Sequence, residues 1–270
     1  MSVLRLRAER WVLVVTGCAL AAFLILPLLA LFATTTIPDF ATGLGYSLVW
    51  PALRLSLLTT LTSLGLVLLF GTPLAWVLAR AQSRLVRAIE TAVQLPIVIP
   101  PAVAGVALLL AFGRRGMLTG RLYPQSWAAA FSTTAVVMAE VFVSAPFFVQ
   151  AATSAFRRID ERLVIVARSF GATPLRVFFR LALPLAAPGL IAGAAMSWAR
   201  ALGEFGATLM FAGNLEGQTQ TLPLAIYTAL EIDLRAAQAI SIVLVIVAFV
   251  LLLTVRAALS RAPKAGGPTP

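Results

Sequence analysis

The sequence predicts an all-α, polytopic membrane protein with six transmembrane helices. Two observations carry that fold class. The 270 residues are 60% hydrophobic and 11% charged, against about 25% charged in soluble domains. The apolar residues also fall into long uninterrupted runs, separated by short segments that carry the arginines.

In chain order, residues 1–10 form a short basic N-terminus before the first run, Trp11–Phe32. That run is too long for a signal-peptide core and no A-x-A site follows it, so it is expected to stay as a membrane anchor. The second run lies between Arg54 and Arg80, and the third between Glu90 and Arg114. The fourth extends from Leu122 to Phe156, broken only by Glu140. The fifth follows Arg180, and the sixth lies between Arg235 and Arg256. Each can cross a hydrocarbon layer of about 30 Å. Residues 11–261 thus form one transmembrane domain, and the Gly/Pro-rich tail 262–270 is expected to be disordered.

An even number of spans puts both termini on one side. With the termini in the cytoplasm, fifteen basic residues lie inside and five outside (Arg54, Arg114, Arg115, Arg121 and Arg235). That is the bias of the positive-inside rule. It accounts for the net charge of +11 better than nucleic-acid binding does, because the arginines are scattered rather than gathered on one face. The expected location is the cell (inner or plasma) membrane.

The same orientation places the long basic segment 157–183 in the cytoplasm. Asp160 is a good N-cap, Glu161 suits a first turn, and Gly171 suits the left-handed residue that ends a helix. Thr173-Pro174 reads as a second cap with proline at the first helical position. The pattern is helix, sharp turn, helix, with Leu163, Val166 and Phe170 on one apolar stripe. An interfacial connector without a partner fits the same pattern.

Other residues restrict the chemistry. There is no histidine, so His-metal sites and Ser-His or Cys-His catalysis are excluded. Cys18, alone, cannot make an internal disulfide. Lys264 is the only lysine and no G-x-x-x-x-G-K-[ST] occurs, so any ATP that drives this chain is bound by another one. Neither an enzyme nor a resident cofactor is expected.

Within the bilayer, Pro96, Pro100 and Pro101 interrupt the third span, Gly71 and Pro73 the second, and Pro146 the fourth. Each proline frees a carbonyl that lipid cannot satisfy. Such breaks either kink a helix or line a pathway. Glu140 stands alone in the fourth span and needs a partner or water. Arg200 and Glu204, four residues apart, form either an internal ion pair or a contact for a passing anion. Beyond them, Thr221 and Pro223 begin a short interfacial helix on the outer side.

Ala167-Arg168-Ser169-Phe170-Gly171, followed by Leu181-Ala182-Leu183-Pro184, resembles the "EAA…G…I-x-L-P" cytoplasmic loop of binding-protein-dependent ABC importer permeases. Ile165 stands where the motif has glutamate, Val166 where it has its first alanine, and Leu181 where it has isoleucine. Two stretches are similar to molybdate permeases, with sulfate/thiosulfate permeases next: Pro96-x-x-x-Pro100-Pro101-x-x-x-Gly105, and Arg200-Ala201-Leu202-Gly203-Glu204-Phe205-Gly206. The resemblance implies a type I permease fold and a pairing of two copies as a homodimer. It also implies two separate ATP-binding cassette subunits and an extracytoplasmic oxyanion-binding protein. Ala167, Arg168, Ser169, Phe170, Gly171 and Ala172 would contact the ATPase. Pro100, Pro101, Arg200 and Glu204 would border the translocation pathway. A sulfate/thiosulfate permease and a passive anion channel are the alternative functions.

Overall fold

A long apolar run in a bilayer satisfies its own backbone hydrogen bonds as a helix, and the described residues form helix after helix. The computed structural model describes residues 3–81, 83–119 and 129–261. The tail 262–270, Arg121 and the expected start of the fourth span at Leu122 lie outside them.

The first helix, α1 (Val3–Thr34), carries the first span from Arg10. None of that span is buried. It stands beside the bundle. A short α2 (Ile37–Leu44), not anticipated from the sequence, turns the chain back, capped by the Thr36 hydroxyl accepting from the Asp39 N–H at 3.2 Å. The second span is α3 (Val49–Arg80).

The third span is not one rod. It divides into α4 (Arg84–Val98) and α5 (Pro101–Phe112), bent by 118° at Ile99-Pro100. Pro100 forces Ile99 out of the helical region, to ψ 140°, and Pro101 has no N–H to continue the ladder. Pro96 is absorbed inside α4. The adjacent proline pair breaks the helix; the lone one does not.

The fourth span is α6 (Thr133–Arg157), followed by α7 (Glu161–Ser169). The second helix expected in segment 157–183 is only one turn, α8 (Pro174–Val177). It runs through a π turn (Phe178–Ala182) straight into α9 (Leu183–Leu202). The fifth span therefore starts at Pro174, before Arg176 and Arg180, rather than after Arg180. Then come α10 (Gly206–Ala212), α11 (Leu222–Ile232) and the sixth span, α12 (Leu234–Arg261).

At the centre, α6 lies between α3 and α9. Gly189 and Gly193 on α9 face Ala155 and Ala151 on α6, where an added Cβ would come within 2.5 Å and 2.9 Å of the alanine Cβ atoms. Small residues at i, i+4 on both helices let the backbones approach, which is how helices adhere where lipid gives no hydrophobic drive.

At the end opposite α7, polar contacts tie α12 to α2 and to the segment before α3. The Tyr46 hydroxyl donates to Asp233, and Arg235 pairs with Asp39 at 3.3 Å. The Tyr46 bond holds the Asp233 carboxyl below its ordinary range, and the same bond raises the phenol above its ordinary 10.0. The carboxyl's contribution to stability is thus present above the ordinary carboxylate range and lost as pH falls through its lowered value. The phenol's is present below 10.0 and lost as pH rises through its raised value. Tyr46→Phe should lower the unfolding midpoint at pH 7, and the gap to wild type should close on acidification. A midpoint series in detergent from pH 7 to pH 3 checks this; a gap independent of pH contradicts it.

Candidate functional site

Two regions carry the candidate residues: the α7 tip and the intramembrane contact between α5 and α10. At the tip, the Asp160 carboxylate accepts from the Arg162 N–H at 2.9 Å, which starts α7 where the sequence places it. Its end is a Schellman turn. The Gly171 N–H bonds to the Arg168 carbonyl and the Ala172 N–H to the Ala167 carbonyl. Gly171 sits at φ +79°, where a side chain is strained. Thr173 then caps α8, accepting from the Arg176 N–H at 3.3 Å.

No residue of α7 is buried, and the expected stripe of Leu163, Val166 and Phe170 is open to its surroundings. Ile165, in the place of the motif's glutamate, adds to the exposed apolar surface. Phe170 is 88% exposed at the tip. An uncovered aromatic beside exposed aliphatics marks an interaction surface. Ala167 and Ala172 are half-buried, while Arg168, Ser169, Phe170 and Gly171 are exposed. The Ser169 hydroxyl is spent on the Ile165 carbonyl at 3.0 Å.

The second region is built from two half-helices. Gly105 of α5 lies so close to α10 that a Cβ there would meet the Ala207 carbonyl at 2.7 Å and the Met210 Cβ at 2.6 Å. One turn earlier, Gly206 is backed by Pro101, with 3.0 Å from a built Cβ to the proline Cβ. The chain thus brings the Pro101 bend to the start of α10, two residues from Glu204. Pro100 is exposed at the bend itself.

Glu204 is buried, and its carboxylate pairs with Arg200 at 2.6 Å. Its other oxygen accepts from the Ala207 N–H at 2.7 Å, placing negative charge at the start of α10. The ion-pair reading of Arg200 and Glu204 is therefore fulfilled. The Arg200 side chain still keeps 25% exposure.

Glu140 is buried too, with no ion-pair partner among the described residues. It accepts from Thr59 at 2.8 Å and Ser63 at 2.6 Å, both on α3. These two hydroxyls stand at i, i+4 on the second span and so share one helix face. Ser56 and Thr60 extend the seam: Ser56 accepts from the Leu222 N–H at 2.7 Å, and Thr60 accepts from the Trp198 indole at 3.0 Å. This polar strip joins α3 to α6, α9 and α11, and of its members the sequence singled out only the glutamate.

Residues 71–262 match the family described as binding-protein-dependent transport system inner membrane component. The chain is 43% identical over 248 residues to the molybdenum transport system permease protein ModB of Mycobacterium tuberculosis, covering 92% of this chain and 94% of that protein. It is 36% identical to the molybdate/tungstate transport system permease protein WtpB of Pyrococcus abyssi, covering 84% and 86%. Among solved structures, the fold is similar to a chain of a bacterial alginate ABC transporter in complex with its periplasmic protein, with TM-score 0.72, 20% identity and 97% of each chain covered. It is also similar to a chain of the methionine ABC transporter MetNI in an inward-facing conformation, with TM-score 0.64, 20% identity, and 80% and 97% covered.

Proposed function

The chain belongs to the family of binding-protein-dependent transport system inner membrane components, and on that premise we propose that it is the permease of an ATP-driven importer for molybdate or tungstate. The observation that carries the cargo is its 43% identity to a molybdenum permease over nearly the full length of both chains. What supports the coupling role is the bare apolar tip of α7.

In this reading two copies pair, with the pathway between them and an ATP-binding cassette subunit under each α7. Both termini and α7 face the cytoplasm, and an extracytoplasmic binding protein delivers the oxyanion to the opposite end. ATP binding closes the cassettes and draws the two α7 helices together. Because the Schellman turn and the Thr173 cap fix α7 to α8, and α8 continues into α9, a push on α7 is a push on the fifth span. A packed element of this kind moves as a body.

The far end of α9 carries Arg200 and leads into Glu204 and α10, which in turn abuts α5. Movement of α9 therefore shifts the α5–α10 contact and Arg200 together. A dianion crossing a low-dielectric layer needs a cation near its path, and among the described residues Arg200 is the arginine within the span windows that meets a buried carboxylate.

The test is reconstitution in proteoliposomes with the cognate cassette subunit and binding protein. ATP-dependent molybdate uptake, competed by tungstate more strongly than by sulfate, is the expected result. Preferential competition by sulfate would transfer the chain to sulfate/thiosulfate transport. Flux without the cassette subunit would make it a channel.

A further inference from the structure

One cavity is lined almost wholly by apolar side chains. It lies at the α7 end of the bundle, between α3 and the α8–π segment, and holds about 510 Å³. Leu69, Thr72 and Trp76 line one wall, and Leu175, Phe178 and Phe179 the other. Its floor is aromatic: Trp76 meets Phe156 edge-on at 5.3 Å and Phe178 at 5.7 Å. The Thr72 hydroxyl is already spent on the Leu68 carbonyl at 2.6 Å, so the walls offer little to a polar ligand.

The rim is different. One turn beyond Trp76, the Arg80 guanidinium lies over the indole at 4.6 Å. Its Nε and Nη2 are shut away from water with no acceptor. Burying guanidinium nitrogens without an acceptor is costly. The nearby acid, Glu90, pairs with Arg157 at 2.8 Å instead. Exposed Arg176 and Arg180 on the opposite wall's segment add positive charge at this end.

The lengths also agree. From Leu68 to Arg80 a helix rises about 18 Å, while half of a hydrocarbon layer is about 15 Å. The cavity, lined on α3 from Leu68 to Val77, is therefore about one leaflet deep, and Arg80 stands three residues beyond it. An inorganic phosphate would use only the rim; an acyl chain would use the whole. We propose that this cavity binds one acyl chain of an anionic phospholipid from the leaflet on the α7 side, with the phosphate at the basic end marked by Arg80, Arg176 and Arg180. Basic pockets between spans at the cytoplasmic face are suited to such headgroups. Because Phe178 and Phe179 belong to the π turn that joins α8 to α9, the lipid bears on the segment that carries motion from α7.

Native mass spectrometry of the full chain, released from micelles with equal phosphatidylglycerol and phosphatidylcholine, tests this. The wild type should retain phosphatidylglycerol with about tenfold preference, the scale of one charge-assisted phosphate contact, and excess inorganic phosphate should not displace it. Arg80→Gln should abolish the preference. Leu69→Phe, which fills the cavity without changing charge, should lower retention of both lipids, and it keeps the test open if Arg80→Gln does not fold. No preference in the wild type, or an unchanged one in Arg80→Gln, overturns the proposal. So does efficient cross-linking between two copies through Leu69→Cys in a Cys18→Ser background, which would show a second chain covering this face.

Discussion

Replacing Gly171 with valine is expected to reduce ATP-driven uptake at least tenfold while leaving the transmembrane bundle folded and the cassette subunit still able to hydrolyse ATP. Gly171 occupies φ +79° with nothing of its own chain within 4 Å of a built Cβ. The effect therefore cannot come from a clash inside this protein. A side chain in the left-handed region costs about 1–2 kcal/mol, and a β-branched one is worse placed still. A cost of 1.4 kcal/mol is a tenfold shift in population, enough to unwind the turn that orients Phe170 and fixes α7 to α8. Ala167→Trp approaches the same surface from another direction, adding bulk at a half-buried position of α7. Uptake and ATP hydrolysis measured in the same vesicles separate the outcomes. Normal uptake in both variants would remove α7 from the coupling role, whatever cargo the chain carries.

Arg200→Ala should cost about 3 kcal/mol of stability and most of the oxyanion uptake. The stability loss follows from leaving the Glu204 carboxylate, 1% exposed, without its cation. Breaking a buried pair is worth about 3–5 kcal/mol, and the partial exposure of Arg200 puts this one at the low end. Adding Glu204→Gln removes the stranded charge yet keeps an oxygen for the Ala207 N–H. The double variant should therefore regain most of the lost stability. Its transport decides the arginine's role. If uptake per folded molecule stays low, the guanidinium serves the anion; if it returns with stability, the pair only holds α9 to α10. Thermal midpoints in detergent, read beside uptake normalised to folded protein, give both quantities.

Much of the architecture was legible because apolar length is a strong signal in lipid, and the caps of α7 and α8 lay where Asp160, Gly171 and Thr173 placed them. Three features were not legible, for separate reasons. Pro100-Pro101 announced an interruption, but whether a proline pair kinks a span or folds it back by 118° depends on what the next helix packs against, here α10. The continuity of α8 with α9 was hidden by Arg176 and Arg180, whose charges suggested a solvent-facing boundary although long side chains can reach water from within a span. Glu140 drew attention as a lone charge, while Thr59 and Ser63 did not, because hydroxyls that bond within a helix look the same in sequence as those that serve a neighbour. At the candidate pathway, the residues of Arg200–Gly206 and Pro100–Gly105 were legible singly. Their meeting was not, since it rests on the absent side chains of Gly105 and Gly206.

The π turn at Phe178–Ala182, where the Leu183 N–H reaches back to the Phe178 carbonyl, inserts one residue into the winding of the fifth span. At 3.6 residues per turn an extra residue advances the helix by about 100°. Everything downstream is thereby re-aimed: without that insertion, Gly189 and Gly193 would point away from α6 and Arg200 would lie on another azimuth. One surplus residue beside the tip thus sets the compass bearing of the charge at the far end of the rod.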